Sequence, residues 1–171
     1  MLSRNPQLFS SYVWPWRVVV VLSLFIISSC ASCPSDSKLI ATFQTNRSDF
    51  EKVKVMAIED AYVDRIAPGF VHYSSSPKGH PALNENRLNI YRALFRKLGV
   101  KDGIGISPNK VYFYIYDSGL SGSGTSKGIT WSSEEPDRIV PNLDTLRNAN
   151  AQPVLAWRRI SGEWYLEYEA D

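Results

Sequence analysis

Apolar positions along this chain follow three successive patterns, and each predicts a different kind of element. Residues 18–27 are a continuous apolar run broken only by Ser23. From residue 48 the spacing becomes helical. Phe50, Val53, Ala57 and Ala61 share one stripe, and Ser48 and Glu51 stand at the separation of a capping box. A clearer helix is predicted over 84–98, where Leu88, Tyr91, Phe95 and Leu98 line one side and Leu94 widens it. Arg96 and Lys97 suit the negative end of that helix, and Gly99 is placed to close it.

The second half of the chain alternates. Over 110–117, Val111, Phe113 and Ile115 face one way and Tyr112, Tyr114 and Tyr116 the other, which is the period of a strand. A short strand over 128–132 follows a Gly/Ser-rich turn. Residues 153–160 and 163–169 then form a hairpin across Ser161-Gly162. Such a turn would pair Trp157 with Leu166, Leu155 with Tyr168 and Arg158 with Tyr165. Leu155, Trp157, Trp164 and Leu166 would pack on the helices, with Arg159 beside Trp164. The expected fold class is α+β, an antiparallel sheet of about four strands packed against two helices.

The apolar run is preceded by Arg4 and Arg17 and followed by Ile27-Ser28-Ser29-Cys30. A basic region, a short apolar core and small residues make a secretory signal. The run is too short for a spanning helix, which needs roughly 20 apolar residues. An uncleaved anchor extended back through Trp14, Pro15 and Trp16, and ordinary secretion with cleavage after Ala31, are the competing readings. Ending the small residues on a cysteine resembles the lipobox of bacterial lipoproteins. The resemblance implies that Cys30 is lipidated, becomes the mature N-terminus and attaches the protein to the membrane through several acyl chains. Ala31 stands where such lipoproteins often carry aspartate for inner-membrane retention, so the implied location is the cell envelope, at the outer membrane.

Charge supports no nucleic-acid role. The chain has 19 basic and 17 acidic residues, and two of the basic ones precede Cys30, so the remainder is balanced. The sequence divides into a signal peptide over 1–29, a lipid anchor and tether over 30–46, and a single α+β domain over 47–171. Cys30 and Cys33 form a CxxC at the signal border without the folded helix N-terminus that redox pairs need. Cys33 is then a lone thiol beside the membrane.

Candidate chemistry is sparse. Gly119 and Gly124 have P-loop spacing, but Thr125 stands where lysine is required and no helix follows. This loop is expected to be a connection between strands, with anion binding through Lys127 as the functional alternative. His72 and His80 fall in the long loop 66–83 together with Ser74, Ser75 and Ser76. They suggest a hydrolase or modifying enzyme, although no nucleophile elbow accompanies them. The acidic groups Glu59, Asp60 and Asp64, and Glu134, Glu135 and Asp137, read as solvated carboxylates. No metal set and no cofactor motif emerges. Tyr112, Tyr114 and Tyr116, with Lys127, His72 and His80, are the candidate binding surface, with burial of the tyrosine face beneath a helix as the competing reading.

Residues 90–99, Lys127-Gly128-Ile129 and 162–166 resemble segments shared by small bacterial envelope lipoproteins of a family without assigned activity. That resemblance implies a common domain and transfers no catalytic residue. The expected function is a membrane-anchored, non-enzymatic binding or structural module with an envelope protein or glycan as partner. The alternative is an envelope enzyme using the loop histidines and serines.

Overall fold

The computed structural model describes residues 32–74, 81–120, 123–148 and 153–171. The signal region and Cys30 lie outside them. Among the described residues the fold is α+β, as expected, but the antiparallel sheet has seven strands and three α-helices accompany it.

Helices α1 (Asp36–Thr45), α2 (Arg47–Glu59) and α3 (Glu85–Leu98) share one core with the sheet. The strands are β1 (Val63–Ile66), β2 (Val71–Tyr73), β3 (Ile104–Ser107), β4 (Lys110–Leu120), β5 (Ser123–Ser132), β6 (Val154–Ser161) and β7 (Trp164–Ala170). Their order across the sheet is β2-β1-β3-β4-β5-β7-β6. Aromatic rings join the layers. Phe43 of α1 lies 5.0 Å from Trp164, and Phe50 of α2 lies 5.1 Å from Phe113.

The expected tether over 30–46 is helical over most of its described length. Asp36–Thr45 form α1, whose start is capped by Ser35 accepting from the Lys38 backbone N–H. Leu39 and Phe43, one turn apart, are buried in the core, and Asp36 is buried with them. The compact unit therefore begins at Cys33, itself buried. Ten residues with only two apolar side chains on the core stripe give a weak periodic signal, which explains the misreading. The capping box also does not form, because α2 starts at Arg47 directly behind α1. Glu51 instead accepts from Trp164 Nε1 at 2.8 Å and pairs with Lys54. Helix α3 matches its expected span, is capped by Asn84 and ends at Gly99 with φ of 70°.

Three short strands, β1, β2 and β3, escaped the pattern because four residues or fewer carry too little alternation to detect. The Gly/Ser-rich segment is mostly strand as well. β4 and β5 run on past Tyr116 and pair as far as Leu120 with Ser123, with residues 121–122 of the turn outside the described residues.

The C-terminal hairpin is present with a register one residue away from the expected one. The turn is Gly162-Glu163, since Ser161 pairs with Trp164, and a bulge between Arg159 and Ser161 absorbs Ile160. Trp157 consequently opposes Glu167, and Arg158 opposes Leu166. A one-residue slip turns every side chain to the other face. Trp164 and Leu166 pack in the core as expected. Leu155 is exposed, and Trp157 lies on the face away from the core. Arg159 stands over Tyr165, with 4.9 Å from guanidinium to ring centroid, instead of Trp164.

Candidate functional site

Alternation along β4, β5 and β7 assigns each residue to one of two faces. Val111, Phe113, Ile129, Trp164 and Leu166 belong to the buried core shared with the helices. The opposite face carries Lys110, Tyr112 and Tyr114 from β4, Thr130 from β5, Glu167 and Glu169 from β7, and Trp157 from β6, as the cross-strand pairs require.

The centre of this face is a polar cluster on three strands. Glu167 is buried, receives a 2.7 Å hydrogen bond from Thr130 Oγ1 and forms a 2.7 Å ion pair with Lys110 Nζ. The Lys110 ammonium lies 5.8 Å from the ring centroids of both Tyr112 and Trp157. It is thus flanked by two π faces and one carboxylate while keeping about a third of its side chain exposed. Tyr112 is buried, and its ring rests on Gly128, where a Cβ would come within 2.9 Å of the phenol. Tyr114 meets Tyr112 edge to face at 4.4 Å and is itself stacked by Arg65, with 4.3 Å from guanidinium to centroid.

Two grooves adjoin this cluster, and Lys110 lines both. The larger, about 320 Å³, is bounded by Asp64, Tyr112, Tyr114, Glu167 and Glu169 among others. The smaller, about 210 Å³, is bounded by Glu134, Glu135, Asp137 and Trp157 beside Thr130. Neither is lined by a residue of a helix. Segment 133–143 walls the smaller groove, then pairs with β6 through Arg138 and Val140 and ends at buried Leu143.

Three ionisable groups on this face are shifted towards their neutral forms. Burial pushes the Tyr112 phenol well above its ordinary range, assisted by Glu167 and opposed by the Ser126 hydroxyl, so it stays neutral. Burial raises Tyr114 too, against the opposing charge of Arg65. Glu169 is held above the ordinary carboxylate range by desolvation first and then by repulsion from Asp171 and Glu167, with Lys110 partly compensating.

The residues singled out from sequence separate into distinct environments. Tyr112 and Tyr114 lie in the larger groove. Tyr116 does not join them, because a bulge between Tyr114 and Tyr116 pairs it with Lys127 and turns it to the helix-bearing face. Lys127, the group named in the anion-binding alternative and in the candidate binding surface, is fully buried. Its Nζ lies 2.6 Å from Asp36 Oδ1, an ion-pair contact off the line of an ideal hydrogen bond, and 2.7 Å from Asp144 Oδ1. With its charge already matched by two carboxylates, it is a structural group.

His72 sits on edge strand β2, exposed, 3.4 Å from Asp64 Oδ2. Ser74 Oγ donates to the other oxygen of Asp64 at 2.6 Å. The carboxylate therefore stands between hydroxyl and imidazole, whereas nucleophile activation needs the imidazole on the hydroxyl. His80, Ser75 and Ser76 lie outside the described residues. Of the other carboxylates, Glu59 and Asp60 are engaged by Arg87, and Tyr91 also donates to Asp60. Glu134 accepts from Asn109, and Glu135 pairs with Arg159. Among the described residues no cluster of three His, Cys, Asp or Glu side chains is arranged to hold a metal ion.

Sequence reasoning missed Lys110, Glu167, Glu169 and Trp157. Lys110 precedes Tyr112 in the same alternation, so its face was legible. What brings it to Glu167 is the order β4-β5-β7, which no local pattern carries. Comparison with known protein families, characterised proteins and solved structures finds no match to this chain.

Proposed function

We propose that this chain is a lipid-anchored bacterial envelope lipoprotein whose domain is a non-enzymatic binding module, using the sheet face opposite the helices. The observation that carries the reading is the meeting of two grooves at Lys110. Aromatic rings, a partly exposed ammonium and several carboxylates converge there, with Tyr112 held neutral by burial. Concave sites with a few convergent polar groups are the ordinary form of ligand sites. The anchor rests on Ile27-Ser28-Ser29-Cys30, and attachment to the outer membrane on Ala31 after the cysteine. Among the described residues no helix is long and apolar enough to cross a membrane.

The test places a photo-cross-linking amino acid at Tyr114 in the full-length protein in cells, and in a parallel strain at Ile58, an exposed position on α2. A discrete envelope adduct is expected from position 114 and not from 58, and it should vanish when Cys30→Ala removes the anchor. Equal adducts from both positions, or none, would overturn the binding assignment. Palmitate labelling that survives Cys30→Ala would overturn the anchor.

A further inference from the structure

The length of chain between the lipobox cysteine and the folded domain limits where a membrane can lie. The compact unit begins at Cys33, which is 6% exposed, so the chain is fixed to the fold from that residue onward. Only Ala31 and Ser32 stand between Cys33 and Cys30. Three residues span at most about 10–11 Å, even fully extended. That is less than the radius of gyration of about 14 Å expected of a domain this size. A domain joined to acyl chains by so short a link cannot turn freely, and the surface around the start of α1 has to stay near the headgroups.

The start of α1 belongs to the β6 side of the sheet. Asp36 pairs with Arg158 of β6 and Lys127 of β5, and accepts from the Leu143 backbone N–H at 2.8 Å. Segment 138–143 leads from the β6 edge, where Ile139 bridges to Trp157, to Leu143 beside Asp36. What this side exposes is an independent observation. Ile139 and Leu155 are 39% and 41% exposed. They share one face of the edge, since Ile139 is level with Trp157 and Leu155 is two residues along the same strand. Arg138, next to Ile139, and Lys38, in the first turn of α1, are exposed as well. Of the nearby carboxylates, Asp36 and Asp144 are engaged by Lys127, while Asp137 and Glu169 line the grooves. Apolar side chains flanked by lysine and arginine suit a boundary between acyl chains and phosphates.

We propose that the β6 edge of the domain, with the start of α1 and segment 138–143, lies against the phospholipid surface to which Cys30 attaches it. Ile139 and Leu155 enter the headgroup boundary, and Lys38 and Arg138 meet lipid phosphate. The inference rests on the lipid anchor of the reading above and adds the surface that the anchor holds to the membrane.

The test uses the full-length lipidated protein in vesicles of phosphatidylethanolamine and phosphatidylglycerol. A fluorescent amino acid replaces Leu155 or, in a parallel sample, Phe70, and lipids with a nitroxide at the headgroup act as quencher. Phe70 is the matched control, an exposed apolar side chain beside β2, whose edge lies six strands from β6 and so about 29 Å away. Quenching at position 155 is expected to exceed that at position 70 about three-fold. Lys38→Glu with Arg138→Glu should about halve the quenching at 155, with flotation on the vesicles and thermal unfolding unchanged. Equal quenching at 155 and 70 in protein that floats, or quenching at 155 indifferent to the charge reversal, would overturn this surface and leave the anchor standing. Failure of the wild-type protein to float would remove the anchor and this surface with it.

Discussion

Two lysines, one on each face of the sheet, make the same kind of bond in opposite settings. Lys127 has no exposed surface and is clamped between Asp36 and Asp144, and Arg158 reaches the second oxygen of Asp36 at 2.9 Å. Lys110 also meets a buried carboxylate, Glu167, but keeps a third of its side chain exposed where two grooves join. The first cluster ties α1 and residue 144 to β5 and cannot exchange partners without exposing a buried charge. The second can trade its ammonium for water or for another cation. Composition does not distinguish a locked ion cluster from an accessible one here; access to solvent does.

The harshest test of this contrast removes α1. A chain starting at residue 47 loses Leu39 and Phe43 from the core and leaves Lys127 without Asp36. Losing one buried phenylalanine alone costs about 3–5 kcal/mol, against a total domain stability of about 5–15 kcal/mol. The 47–171 fragment should show no cooperative unfolding transition by circular dichroism, whereas a chain starting at Cys33 should show one. Next in size, Lys127→Met should cost about 3–5 kcal/mol in urea unfolding, since it removes the buried cation shared by Asp36 and Asp144 and leaves Asp36 to Arg158 and the Leu143 N–H. Adding Asp36→Leu should recover only part of that loss, because Arg158 and the Leu143 N–H lose their carboxylate with it.

Lys110→Met is the matched experiment on the other face, with a smaller expected loss of about 1 kcal/mol. Glu167 keeps its Thr130 hydrogen bond, and water already reaches the ammonium. Equal losses at Lys127 and Lys110 would erase the distinction between the two clusters. Thr130→Val sharpens it from the neutral side. It deletes a buried hydroxyl that donates to Glu167 and should cost about 1–2 kcal/mol.

The same contrast explains how far the sequence could be read. α3, β4 and the C-terminal hairpin were legible because each carries its own period over seven residues or more. Lys127 was assigned to a surface because lysine is almost never fully buried. Yet Lys127, Ile129 and Trp131 alternate on one face, which already placed it on the core side. What hid the truth was its partner, since Asp36 lies in a segment with too few apolar residues to announce a helix. Trp157 was turned the wrong way by one residue, Ile160, whose bulge no pairing rule foresees. The grooves needed the strand order itself, which joins residues from 64 to 169 and leaves no trace in local patterning.

The smallest expected effect concerns Glu169, and it bears on whether the second cluster is electrostatically open. Its carboxyl is held above the ordinary value of 4.5, by desolvation and by Asp171, Glu167 and Asp117, with Lys110 opposing. A raised carboxyl pKa means that the folded chain grips this proton more tightly than the unfolded chain does. Its contribution to stability is then present below the ordinary value and is lost as pH rises through the raised one. Wild type and Glu169→Gln should therefore lie closest at the acid end, and the variant should gain relative to wild type across that window. A flat difference between the two urea-stability profiles would mean that Glu169 is already neutralised by its neighbours. The face around Lys110 would then be as closed electrostatically as the cluster around Lys127 is sterically.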